Sequence, residues 1–151
     1  MELTDLIFKG EISKINLSFL EDFLRDDIKR NLIFPEIDIS LEYEDIVNVF
    51  HGHTDVDFTV STNKLNISGQ VVPNVFIHLV LSSNVLELLF FFDPEDLRQN
   101  NHKANFDFLK IWAIDFKANY GFESVVCQMD NGNEDEYYFD DDDFGPLYEE
   151  L

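Results

Sequence analysis

His51, His53, Asp55 and Asp57 stand at every second position of the stretch FHGHTDVDF. Imidazole nitrogens and carboxylate oxygens are zinc ligands, and a bound zinc wants three or four of them in a fixed arrangement. An extended strand sends alternate side chains to the same face. A continuous strand here would therefore gather two imidazoles and two carboxylates on one side, with Val56, Phe58 and Val60 turned toward a core. Such a face could hold a metal ion and make the chain a candidate enzyme.

The stretch resembles the H-x-H-x-D-H metal motif of the metallo-β-lactamase fold, but Val56 stands where the final His belongs. That family also needs further His ligands and a longer chain, and only His78 and His102 remain here. Gly52 interrupts strand regularity as well. The expectation is a solvated strand or loop face, with no metal and no cofactor. An EF-hand loop read from Asp140 fits Asp142 and Gly145 but fails at Phe144 and at Leu151, where the bidentate Glu should stand. Cys127 lies in the apolar run VVCQM and reads as a packing residue. There is no G-x-S-x-G elbow, P-loop or G-x-G-x-x-G fingerprint. No catalytic residue is assigned, and the chain reads as a non-enzyme.

The elements that would position these groups follow from periodicity. LIFKGEI (6–12) reads as a first strand. NLSFLEDFLRDDIKRNL (16–32) reads as a helix capped at Asn16 or Ser18, with Phe19, Leu20, Phe23, Leu24 and Ile28 as its apolar stripe. EIDISLEY, VDFTVS and KLNISGQVV alternate as strands, and STNK links the last two as a hairpin. NVFIHLVLS and NVLELLFFF are apolar on both faces over much of their length, which marks the middle of a sheet covered by helices on at least one face. A second helix, capped at Asn101 or Asn105 and stopped by Gly121, carries Phe108, Leu109, Trp112, Ala113 and Phe116 inward. FESVVCQMD and YYFD close the chain as strands. The expected architecture is α+β: one domain over residues 1–151, a largely antiparallel sheet of six to seven strands, and two packed helices.

Charge is the strongest global feature. The 151 residues carry 31 acids against 10 Lys and Arg, a formal −21, with 45% hydrophobic residues and 16 Phe. A chain so rich in aromatics folds, and a field so negative repels nucleic acid and anionic membranes while speeding encounter with basic partners. Residues 118–151 hold 11 of the acids and no base. Acids there alternate with Tyr120, Phe122, Tyr137, Tyr138, Phe139, Phe144 and Tyr148, so the segment reads as folded or partner-covered rather than as a bare tail. The single cysteine, the start without a basic and apolar leader, and an apolar run of only eight residues (85–92) point to a cytoplasmic protein without membrane contact.

In size, charge and the segment YGFESVVCQMDNGNEDEYYFDDDDFGPLY, the chain resembles the small acidic immunity proteins of bacterial polymorphic or contact-dependent toxin systems. The resemblance implies a non-catalytic inhibitor that neutralises a basic toxin, a nuclease, with no direct contact to nucleic acid. The expected interface is the acidic, aromatic-rich segment at 130–151. Glu134, Asp135, Glu136, Asp140, Asp141, Asp142 and Asp143 would pair with Lys and Arg of the partner. Tyr138, Phe144 and Tyr148 would anchor it, with Tyr137 and Phe139 on the opposite, inward parity of the strand. A DNA mimic of the antirestriction kind, whose carboxylates imitate phosphate spacing, is the alternative. An enzyme using the region from His51 to Asp57 is a third reading.

Overall fold

A computed structural model describes residues 3–25, 29–130 and 132–151. In chain order the elements are β1 (Thr4–Glu11), α1 (Phe19–Phe23), β2 (Lys29–Phe34), α2 (Tyr43–Gly52), β3 (Val56–Thr62), β4 (Leu65–Ile67), β5 (Gln70–Val72), β6 (Val75–Ser82), β7 (Val85–Phe92), α3 (His102–Tyr120), β8 (Ser124–Met129), β9 (Tyr137–Asp140) and α4 (Pro146–Glu149). Seven strands make one sheet in the order β2-β3-β6-β7-β1-β8-β9, with antiparallel pairing throughout, and β4–β5 is a separate hairpin. This is the expected α+β class with the expected kind of sheet.

The centre of the sheet forms where the sequence is most apolar. Ser83 and Asn84 both take positive φ, 50° and 69°, and so close β6 and β7 with a two-residue turn whose twist suits a hairpin. β1 then pairs with β7 on its free side, Leu6 opposite Phe90 and Phe8 opposite Leu88. These four side chains are fully buried.

Helices gather on that face. Phe23 of α1 meets Phe90 edge-on at 5.5 Å, Phe50 of α2 meets Phe58 at 6.5 Å, and Trp112 of α3 meets Phe90 at 5.8 Å. α3 is stopped by Gly121, whose φ of +82° is left-handed and where a Cβ would run into the Lys14 carbonyl, so a side chain there would collide as well as strain. Asn101 caps the other end by accepting from the Ala104 amide at 2.8 Å. Of the expected α3 stripe, Leu109, Ala113 and Phe116 are buried, and Phe108 and Trp112 are half-buried.

The sheet's other face carries none of the described helices. There Phe34, Phe76 and Val85 are exposed, and His78, Val80, Glu87, Leu89, Phe91 and Val126 are half-buried.

The N-terminal half departs from its periodicity in three places. The helix expected over 16–32 ends at Phe23, and Lys29–Phe34 is instead the edge strand β2, paired with β3. Arg30 holds the crossing in place, donating to the Leu41 carbonyl at 2.6 Å and the Leu24 carbonyl at 3.0 Å. Ser18 makes no side-chain cap, whereas Asn16 accepts from the Ser18 amide at 3.0 Å. Ile28 lies outside the described residues. EIDISLEY forms no strand, and from Tyr43 the chain is helical. Ile46, Val49 and Phe50 of α2 are buried at i, i+3, i+4 spacing, with Glu44 and Asp45 in its first turn. KLNISGQVV is two short strands, because Ser68 and Gly69 take positive φ and turn the chain back. β3 accordingly pairs with β6 across this excursion, and STNK, whose Ser61 and Thr62 end β3, does not link two paired strands.

Candidate partner-binding surface

The alternating His and Asp face does not form. His51 lies in the last turn of α2, His53 follows the helix with Nδ1 at 3.1 Å from the Val49 carbonyl, and β3 begins only at Val56. A helix and a strand meet inside the stretch, so its period of two is a coincidence of spelling. Asp57 alone stands on the strand's outward face, where its Oδ1 is hydrogen-bonded to His78 Nε2 at 2.6 Å. Among the described residues no three His, Cys, Asp or Glu side chains are placed to hold a metal ion. Cys127 is fully buried, and burial pushes its thiol well above its ordinary value.

The C-terminal segment is a folded lobe on the edge of the sheet. β9 pairs with β8, then Phe139 bridges back to Phe144, and α4 follows. The three lysines of α3's exposed side hold the lobe down. Lys103 lies 5.1 Å from the centre of the Tyr148 ring, Lys110 lies 4.5 Å from that of Phe144, and Lys117 is 3.5 Å from Asp141. Phe144 and Tyr148 stack on each other at 3.8 Å. The Tyr148 hydroxyl donates to Asp107 at 2.8 Å, and this bond foremost raises its phenol's pKa.

The expected contact residues divide into three groups. Glu134, Asp135, Asp142 and Asp143 are exposed. They sit beyond the two ends of β9. Glu136, Asp140 and Asp141 serve the lobe itself. Glu136 accepts from the Asn133 side chain at 2.9 Å, and Asp140 accepts from the Asp142 and Asp143 amides, both at 2.9 Å. Asp141 pairs with Lys117 and accepts from the Val125 amide at 3.4 Å. Phe144 and Tyr148 are half-buried on the flank of α3.

Tyr138 corrects the parity expected for the strand. It is 4% exposed and stacks face to face on Phe106 at 3.9 Å, so it belongs to the core rather than to a contact surface. Phe139 is buried too, while Tyr137 is half-buried. The cause is a bulge: Cys127 opposes Phe139 and Gln128 opposes Tyr137, which leaves Tyr138 as the extra residue and lets two consecutive rings turn inward.

One further group was not singled out from the sequence. Asp5 of β1 lies on the uncovered face of the sheet between Phe91 of β7 and Gln128 of β8. It is 9% exposed, and its carboxyl is pushed up to about 6, by burial first and by the nearby Asp130 second. The signal in the sequence is a carboxylate inside the otherwise apolar beginning of a strand, TDLIF.

The fold recurs in a known complex. A chain in the crystal structure of the toxic C-terminal tip of CdiA from Pseudomonas aeruginosa in complex with immune protein matches it with a TM-score of 0.72, covering 97% of this chain and 98% of that one. At 20% sequence identity the likeness is one of fold. No curated protein matches the sequence. A family model described as the PABL017 Cdi1I immunity protein matches residues 2–144. The chain belongs to that immunity-protein family, in line with the resemblance drawn from its size, its charge and its C-terminal segment.

Proposed function

We propose that this chain binds and neutralises the toxic tip of a contact-dependent inhibition protein, acting by binding rather than by catalysis, and that the toxin is a basic nuclease. The observation that carries the reading is the segment 118–151, with 11 acids and no base, folded as a fixed lobe instead of trailing as a tail. Family membership supports it independently. Glu134, Asp135, Asp142 and Asp143 point their charge into solvent and steer the partner in. Glu136, Asp140 and Asp141 keep the lobe's shape. Phe144 and Tyr148 offer aromatic area beside them.

The test is binding to the toxin domain encoded beside this chain's gene, measured at two salt concentrations. The variant changes Glu134 to Gln and Asp135, Asp142 and Asp143 to Asn, leaving the three shape-keeping acids alone. Removal of four steering charges lowers the association rate about tenfold at low salt and flattens its salt dependence. Unchanged rate and unchanged salt dependence would refute the lobe as the steering surface. Displacement of duplex DNA from a DNA-binding enzyme, without any toxin binding, would favour the DNA-mimic alternative.

A further inference from the structure

Asp5 is a mostly buried carboxylate without a protein partner among the described residues. Among the described residues no group donates a hydrogen bond to its side chain, the residue is only 9% exposed, and its carboxylate oxygens retain a narrow contact with solvent. The charged group that acts on it most strongly is Asp130, which follows β8 and repels it. Lys9, two residues further along the same face of β1, is already engaged with Glu87 of β7 at 3.7 Å. Its other neighbours on the face include Ile7, Phe91 and Gln128, which bring no charge. Largely burying an unpaired carboxylate is costly, and no cation among the described residues offsets the cost.

The surroundings fit a basic side chain. Phe91, Leu89 and Phe76 run together across β7 and β6 on the uncovered face, Phe91 opposite Phe76 and also opposite Asp5. The aliphatic stem of an Arg or Lys can lie on these groups while its charged head reaches Asp5 and Asp130. An ion pair is strengthened where water is excluded, and a guanidinium can bond two carboxylate oxygens at once.

We infer that Asp5, with Asp130 beside it, is the socket for an Arg or Lys of the toxin, and that the toxin docks across the uncovered face of the sheet with apolar surface over Phe91, Leu89 and Phe76. The inference rests on the reading that this chain binds a basic toxin. It adds the face that is covered and the chemistry of the anchoring residue. The lobe itself is fastened to α3 on the covered side, and its strand β9 borders the uncovered face at the edge of the sheet, where Tyr137 pairs with Gln128 and Asp140 with Val126. A partner drawn to the lobe by its charge meets the uncovered face across that shared edge.

Two consequences separate this inference from the lobe reading. A cation over Asp5 lowers its affinity for protons, so binding displaces a proton and tightens as pH rises. With the free carboxyl near 6, affinity should increase roughly tenfold between pH 5 and pH 7. The experiment measures the dissociation constant of the full chain with the toxin domain encoded beside its gene from pH 5 to pH 7.5. Asp5→Asn should bind about thirtyfold more weakly at pH 7, chiefly through faster dissociation, and should lose the rise with pH. His78→Gln, which removes the other protonatable ring on this face, should keep the rise. Leu89→Glu should also break binding by placing a charge under the apolar contact. The four-charge lobe variant should lose salt dependence but retain the rise with pH.

If the parent chain binds the toxin and Asp5→Asn binds as tightly with the same pH profile, the socket is refuted while the function stands. A parent chain that does not bind the toxin at all overturns both.

Discussion

Replacing Asp5 with Asn should make the isolated protein more stable near neutral pH and leave its stability in mild acid nearly unchanged. The folded chain raises the carboxyl from 3.8 to about 6. A group whose folded value exceeds its unfolded value holds its proton more tightly in the folded state, so unfolding releases that proton between the two values. Stability therefore falls as pH rises from about 4 through about 6 and is level above that. Two units correspond to a ceiling of about 3 kcal/mol. Residual solvent at the carboxylate screens part of it, which leaves about 1–2 kcal/mol. Asn keeps the size and hydrogen-bonding capacity of the side chain but cannot ionise. The advantage of Asp5→Asn should thus be small at pH 4.5 and should reach its full 1–2 kcal/mol by pH 7. In a domain of this size that is about 3–6 °C in melting temperature. Urea unfolding of both proteins at pH 4.5, 5.5, 6.5 and 7.5 reads the difference directly. An advantage that does not change with pH would show that desolvation of the charge is not its cause, and a less stable Asp5→Asn at pH 7.5 would refute the reasoning outright.

Tyr138→Ala should cost about 3–4 kcal/mol in urea unfolding, because it empties the space stacked against Phe106, whereas Tyr148→Phe, which removes only a surface hydrogen bond to Asp107, should cost under about 1 kcal/mol. Equal losses would mean that the bulge in β9 is misplaced. His51→Ala and His53→Ala should each change stability by no more than about 0.5 kcal/mol and leave toxin binding intact. Stoichiometric zinc in protein purified without added metal would overturn that expectation.

Legibility followed the strength of local signals. The β6–β7 hairpin, α3 with its Asn101 and Gly121 ends, and the β8–β9 return could be read because pattern, cap and turn residue agreed at each. The segments from Lys29 to Phe34 and from Glu36 to Tyr43 could not. The first continues a helical stripe yet gains more as the edge partner of β3, and the second alternates like a strand yet makes no ladder. FHGHTDVDF shows the same limit at a single junction, where the last turn of α2 and the first residues of β3 together spell a period of two. Tyr138 was assigned to the wrong side because parity counts residues, and a bulge adds one without any mark in the sequence. The uncovered face was hidden for a different reason. Strands at the middle of a sheet read as apolar on both sides whether or not anything covers the second side, so Phe76, Leu89 and Phe91 gave no sign of being left open.

The disposition of the lysines on α3 explains how so acidic a segment can be folded at all. Eleven like charges in the last 34 residues would drive that stretch apart. Instead Lys103, Lys110 and Lys117 recur on one flank of α3 and each meets the lobe, two through aromatic rings and one through Asp141. Using rings to receive two of the three cations has a further effect. Asp142, Asp143, Glu134 and Asp135 are left without a counter-ion among the described pairs, so the lobe is fastened while its outward field stays negative. A tail held by carboxylate–lysine pairs alone would have cancelled that field in the act of folding. The same economy of cations reaches the sheet, where Lys9 is engaged by Glu87 and, among the described residues, Asp5 receives none. No described residue supplies a cation to Asp5, and in the docking inferred above a basic partner drawn in by the lobe brings it.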